Sequence, residues 1–332
     1  MKKVIKLIIA TSLLATMLQA TEVVKEAIKE QPFTLSKYGT FKFEKLNNNV
    51  YVMHGPVVEP NKENEGFMNN PAIIEGDKGL IIVDPGGNYN VGKKVLAEIE
   101  KVSTKPILAV FNTHKHGDHW FANKAIVEKY PNVVIYAHEH MIKVAKEGEA
   151  EKWYGILDRM TEGNLKGTKS FAYPTKAIKE GDKIEVDGQT FVIGHPKIAH
   201  TDTDLLIKHV NSRTLFLGDN VMKGRLGAFD NSSSLLGNIT LLEAIKSEKA
   251  LDLYVPGHGI SGKRDETIDP YLNYLKIVKE EVAKAYEDDM QAYEVKDKVL
   301  QKLEEYKEWD AIGHVLGKHM SKVYSEIEMS DM

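Results

Sequence analysis

The sequence predicts an α/β fold built in layers, with an all-helical C-terminal extension. Three observations carry that expectation. Short β-rich runs alternate with helical stretches in the first half of the chain, and the same alternation recurs in the second half. From Pro270 onward the apolar period changes to 3.6.

Taken in order, the β-rich runs of the first half are residues 50–53, 72–75, 80–83, 107–111 and 133–137, and helical stretches fall over 91–102 and 120–129. In the second half, runs 184–186 and 190–193 flank Asp187-Gly188, the dipeptide of a type I′ hairpin turn. Runs 205–210 and 214–217 follow, separated by an Asn211-Ser212 turn, then 254–255. In the last part Leu272, Leu275, Val278, Val282 and Tyr286 share one helical face, and Val299, Leu303 and Tyr306 another. Ile312, Val315, His319 and Val323 predict a third helix.

The first twenty residues read as an address. Lys2, Lys3 and Lys6 precede an apolar run over 7–18, and Leu18-Gln19-Ala20 offers a cleavage site. Twelve helical residues rise about 18 Å, short of the roughly 30 Å hydrocarbon core. The expected organisation is a signal peptide over 1–20, a polar leader over 21–40, an α/β domain over 41–262 and a helical extension over 263–332. The expected location is the periplasm, with no stable membrane anchor after the signal is removed.

Composition narrows the chemistry. The chain of 332 residues has 44 basic against 48 acidic side chains, which leaves no electrostatic footprint for nucleic acid. It contains no cysteine, which excludes disulfides, a cysteine nucleophile and any thiolate-liganded zinc. A metal must therefore sit among His, Asp and Glu, and 12 histidines are present.

The densest cluster of such residues is Thr113-His114-Lys115-His116-Gly117-Asp118-His119-Trp120, directly after the run 107–111. In an extended segment His114 and His116 point the same way and reach one ion; Asp118 and His119 project differently, toward a second. Further ligand candidates stand at strand ends or in glycine-rich turns: His200, Asp219 after Gly218, and His258 between Gly257 and Gly259.

This set, His114-x-His116-x-Asp118-His119 followed by His200, Asp219 and His258, resembles the metallo-β-lactamase superfamily. Asn70-Pro71-Ala72 and Asp84-Pro85-Gly86 are similar to the family's first hairpin and Asp-x-Gly turn. The resemblance implies a four-layer αββα sandwich with a dinuclear metal site at one edge. It implies that His114, His116 and His200 hold one ion, that Asp118, His119 and His258 hold the other, and that Asp219 bridges them. Two Zn2+ ions fit neutral imidazoles, with iron or manganese as alternatives. Such a pair shares a hydroxide near neutral pH, and Asp118 manages a proton for the leaving group. Asp84 reads equally as a group that orients a ligand and as an ordinary strand-end turn residue.

The departures narrow the branch. With no cysteine the chain is not a thiolate-liganded β-lactamase, and Asp219 stands where the histidine-only β-lactamases lack a bridging carboxylate. Thioester hydrolases of the glyoxalase II type have that Asp but follow the motif with Gly-Gly, where this chain has Trp120-Phe121-Ala122-Asn123. That variant, the signal and the tail over 322–328 look more like the periplasmic SoxH-type zinc hydrolases. The expectation is a hydrolase of an ester, thioester or amide-like bond in a small-molecule substrate. The alternatives are a β-lactamase or lactonase, and a non-catalytic periplasmic metal-binding protein.

The remaining histidines have plainer readings. His138 and His140 are expected at the surface or behind the ligands, His195 near the cleft, and His54, His209, His314 and His319 in structural roles. Trp120, Trp153, Tyr154 and Tyr173 are candidates for a substrate wall, with core packing as the default. Residues 155–171 are expected to form a loop covering the cleft.

Overall fold

A computed structural model describes residues 41–331. The expected signal peptide and leader lie outside the described residues.

The first half supplies β1 (Glu44–Asn47), β2 (Val50–Val52), β3 (Ala72–Glu75), β4 (Leu80–Val83), α1 (Tyr89–Val102), β5 (Ile107–Phe111), α2 (Gly117–Trp120), α3 (Asn123–Lys129) and β6 (Val134–His138). Then come α4 (Glu139–Val144), α5 (Ala150–Met160) and β7 (Lys176–Ile178). These strands make one sheet in chain order, antiparallel from β1 to β4 and parallel from β4 to β7.

The second half supplies β8 (Lys183–Val186), β9 (Gln189–Gly194), β10 (Leu206–His209), β11 (Thr214–Met222), α6 (Leu235–Ser247) and β12 (Leu253–His258). Its sheet runs β12-β11-β10-β9-β8, antiparallel except for the β11/β12 pair. After it stand α7 (Arg264–Glu287), α8 (Lys296–Lys302) and α9 (Ile312–Asp331).

Period-two alternation sorts each strand between two cores. Ile74, Ile81, Val83, Ala109 and Phe111 point inward against Phe191, Ile193, Ile207, Phe216 and Val255 of the other sheet. Ile73, Leu80, Ile82 and Val110 point outward, onto Val91, Val95 and Ile99 of α1 and Ile126 of α3. The outer face of the second sheet packs Leu215 and Leu217 against Leu272, Leu275 and Val278 of α7, and through them Val315 and Val323 of α9. Four layers result, αββα, with the C-terminal helices sharing the outer core of the second sheet.

Two elements differ from the sequence expectation. The helix foreseen over 120–129 is divided, because the Ala122 amide donates to the Gly86 carbonyl at 2.9 Å instead of continuing the helix. The strand foreseen over 214–217 continues to Met222, crossing a register shift at Gly218. Gly218 has φ +53, and a Cβ there would stand 2.9 Å from Thr113 Oγ1. Only glycine lets β11 pass the motif loop so closely. The turn at Asp187-Gly188 has φ 49 and 78, as a type I′ turn requires.

Candidate metal centre

Four strand ends meet at one edge of the sandwich. The motif loop leaves β5, Asp84 follows β4, Asp219 lies in β11 and His258 closes β12. All seven predicted ligands are buried there, in two groups: His114, His116, His200 and Asp219, and Asp118, His119, His258 and Asp219.

Asp219 joins the groups. Its Oδ2 lies 3.8 Å from His114 Nε2, 3.5 Å from His200 Nε2 and 3.3 Å from His258 Nε2, while its Oδ1 lies 3.1 Å from His119 Nε2. Asp118 Oδ2 stands 3.3 Å from both His119 Nε2 and His258 Nε2. His116 Nδ1 and His200 Nε2 face each other at 3.0 Å. A Cβ on Gly257 would fall 1.9 Å from Asp219 Oδ1, so the glycine before His258 makes room for this carboxylate.

The imidazoles are oriented from behind. His119 Nδ1 donates to Asp84 Oδ2 at 2.9 Å, and His258 Nδ1 donates to the Met68 carbonyl at 2.7 Å. Thr113 Oγ1 donates to Asp84 Oδ2 at 2.6 Å, which leaves it to accept from His114 Nδ1 at 3.0 Å. Each of these three rings therefore turns its Nε2 toward the clusters. Asp84 orients a ligand and holds the motif loop, since its Oδ1 also accepts from the Thr113 amide at 2.9 Å. It keeps a φ of +49 to do so.

The donor set fits a metal pair. His114 Nε2, His119 Nε2 and Asp219 Oδ1 are buried with no aligned hydrogen-bond partner. Leaving such atoms unsatisfied costs about 1–3 kcal/mol each, and a cation satisfies all three. Burial pushes His114 and His116 well below the usual histidine range and His200 down to about 4, so all three are neutral, as ligands must be. Burial also pushes Asp118 and Asp219 up, but His119 and His258 beside them outweigh it and hold both carboxyls ionised. Against the pull of burial, the carboxylates raise the pKa of His119 and His258. The second cluster is thus a place that draws positive charge.

Lys115, between the first two motif histidines, is itself buried and ties the loop to Asp202 at 3.0 Å and Ser232 at 2.7 Å.

Other predicted residues fall elsewhere. His140 pairs with Asp202 at 3.1 Å, and His138 stacks on His195 at 4.1 Å, outside both clusters. His54 bonds Ser261, His209 bonds Ser212 and Gln189, and His319 sits in the core between Tyr274 and the Gly227 carbonyl. His314 departs from its structural reading: it is exposed at the mouth of the cavity, 3.2 Å from Glu59. Trp153 packs on His116 with ring centroids 4.2 Å apart and lines the cavity. Trp120 is core, while Tyr154 and Tyr173 pack around Phe171.

The segment foreseen as a covering loop is helical up to Met160, and it is helix α5 that covers the cleft, with Trp153, Ile156, Leu157 and Met160. Their spacing is the i, i+3, i+4, i+7 pattern of one helical face, a signal the glycine at 155 obscured. Sequence reasoning passed over Met68, Met222, Arg225, Phe229 and Val315, which complete the cavity. No local motif marks them, because they come from three separate stretches of chain, at 68, 222–229 and 315.

Comparison with known proteins accords with this geometry. The chain is 31% identical over 208 residues to a probable metallo-hydrolase of Methanocaldococcus jannaschii, covering 60% of this chain and 91% of that protein. It is 46% identical over 140 residues to a linear primary-alkylsulfatase of a Pseudomonas species, covering 40% of this chain but only 24% of that protein. A solved sec-alkylsulfatase from Pseudomonas sp. superposes with a TM-score of 0.64 at 15% identity, over 86% of this chain and 50% of that one. Residues 64–258, which span the motif loop and every other candidate ligand, match the profile of the Metallo-beta-lactamase superfamily. With its layers, its two ligand clusters and this match in agreement, the chain belongs to the metallo-β-lactamase superfamily.

Proposed function

We propose that this protein is a zinc-dependent hydrolase of the periplasm that cleaves an ester, thioester or amide-like bond in a small molecule. Two zinc ions would be held by His114, His116 and His200 and by Asp118, His119 and His258, with Asp219 shared. The observation that carries the reading is the Asp219 carboxylate, within 3.1–3.8 Å of an imidazole nitrogen from each of four histidines. When bound, zinc supplies Lewis acidity and lowers the pKa of water to about 7.

The chain's own residues do the rest. Asp118 and Asp219, both ionised, would offset half of the positive charge that two zinc ions bring. Asp118 faces the cavity with its carboxyl kept ionised, so it is placed to take up a proton and return it to a leaving group. Trp153, Leu157 and Met68 exclude water from one side. The periplasmic placement rests on the lysine-led apolar segment at the start of the sequence.

A screen of thioesters, lactones, β-lactams, carboxylic esters and sulfate esters tests the proposal. Chelator-sensitive turnover of one class, lost in Asp219→Ala, is the expected result. A zinc-loaded, folded protein that turns over none of them would favour a metal-binding protein without catalysis.

A further inference from the structure

Beside the two clusters opens a cavity of about 150 Å³, and its lining is chemically divided. Most of the wall is apolar, with Met68, Trp153, Leu157, Met222, Phe229 and Val315. A volume of that size accommodates an apolar group about as large as benzene.

Set into this wall is one buried cation. Arg225 is 6% exposed, its Nη1 donates to Met68 Sδ at 3.1 Å, and its Nε is buried with no partner at all. No carboxylate forms an ion pair with it among the described residues. A buried guanidinium without a counter-ion is costly, and a residue with five donors in a fixed fork suits an oxyanion.

Its placement is enforced by the C-terminal helices. The Leu226 amide donates to the Asp310 carbonyl at 3.0 Å, and the Asp310 amide donates to the Gly224 carbonyl at 2.9 Å. His319 Nε2 of α9 donates to the Gly227 carbonyl at 2.8 Å, with Tyr274 of α7 bonded to its Nδ1 at 2.8 Å. The strand-like segment bearing Arg225 is thus pinned on both sides, and α9 adds Val315 to the apolar wall.

We propose that this cavity takes an amphiphilic anion, whose short hydrocarbon group lies on the apolar wall and whose oxyanion is held by Arg225 beside the metal clusters. As a statement about substrate class it rests on the hydrolase reading; as a statement about binding it does not. The shared chemistry is a monoanionic oxyanion on a hydrocarbon group, from a carboxylate or from a sulfur oxyacid.

The test is equilibrium binding to the zinc-loaded full-length protein, by calorimetry and tryptophan fluorescence, of hexanesulfonate, hexanoate, methanesulfonate and neutral 1-hexanol. The wild type is expected to bind a six-carbon anion at least about tenfold more tightly than hexanol, the worth of a charged hydrogen bond. Whichever anion binds better identifies the head group. Arg225→Gln is expected to remove that advantage while hexanol binding stays within about twofold. Val315→Trp is expected to weaken hexanesulfonate and hexanol together, with methanesulfonate unchanged. Zinc content and melting temperature establish that each variant is folded; should Arg225→Gln not fold, the wild-type comparison and Val315→Trp still decide. Equal binding of hexanol and the anions, or anion binding indifferent to Arg225, which would place the anion on zinc or on the exposed Lys318 at the cavity, overturns the proposal. Anion selectivity in a protein that hydrolyses nothing would leave this inference standing and remove only the hydrolase reading.

Discussion

Asp84 accepts a buried hydrogen bond from His119 Nδ1 at 2.9 Å, and so fixes which nitrogen of that ring faces the second cluster. Asp84→Asn replaces one acceptor oxygen by an NH2 group and breaks this orientation. The expected result is a loss of about 10–100-fold in affinity for the second ion, with the first less affected. Competition with a zinc chelator measures it; unchanged affinity at both sites would show that Asp84 serves the turn alone.

In the proposed reaction Asp118 is the carboxylate that handles the leaving-group proton. Asp118→Asn is expected to lower kcat on the order of 10²–10⁴-fold while the melting temperature moves little. Turnover and thermal unfolding measured side by side decide it. Parallel losses of activity and stability would remove its catalytic role.

Gly257→Ala sets a methyl group 1.9 Å from Asp219 Oδ1 and must displace that carboxylate. Because Asp219 belongs to both clusters, zinc content is expected to fall at both, with circular dichroism unchanged. Full occupancy in a folded variant would contradict the bridging position of Asp219.

The helices that pin the cavity depend on a buried acid. Glu281 of α7 accepts from Lys284 at 2.9 Å and Lys302 at 2.8 Å and pairs with Lys298 at 3.1 Å, drawing α8 onto α7. The bonds from Lys284 and Lys302 outweigh burial and pull its carboxyl down to about 2 from an ordinary 4.5. Since the folded value is the lower one, its stabilisation is complete above pH 4.5 and disappears as pH falls toward 2. Glu281→Gln is expected to cost about 1–2 kcal/mol near neutral pH, the lysines being half in water, and less at pH 3. Denaturant titration at both pH values checks the sign; a larger loss at pH 3 would contradict it.

The ligand cluster was legible because its chemistry is dense along the chain: His114, His116, Asp118 and His119 fall within six residues, and glycine flags Asp219 and His258. The strands were legible through period two and the last helices through period 3.6. The cavity wall was not: Val315 shows only as part of a helical face, and Arg225 and Met68 stand outside any periodic or motif pattern, since the wall is assembled from separate segments. The division at Ala122 escaped for a related reason: a distant carbonyl, that of Gly86, takes the amide a continuous helix would have used.

The central claim is a shared two-metal centre required for hydrolysis, and metal analysis coupled to activity tests it most directly. Purified protein is to be assayed for zinc by mass spectrometry, stripped with chelator, then titrated back while turnover of the substrate found in the screen is followed. The account predicts two zinc ions per chain, loss of turnover on stripping and its recovery as zinc returns, with Asp219→Ala recovering neither. Full turnover in metal-free protein, or undiminished zinc binding by Asp219→Ala, would contradict it.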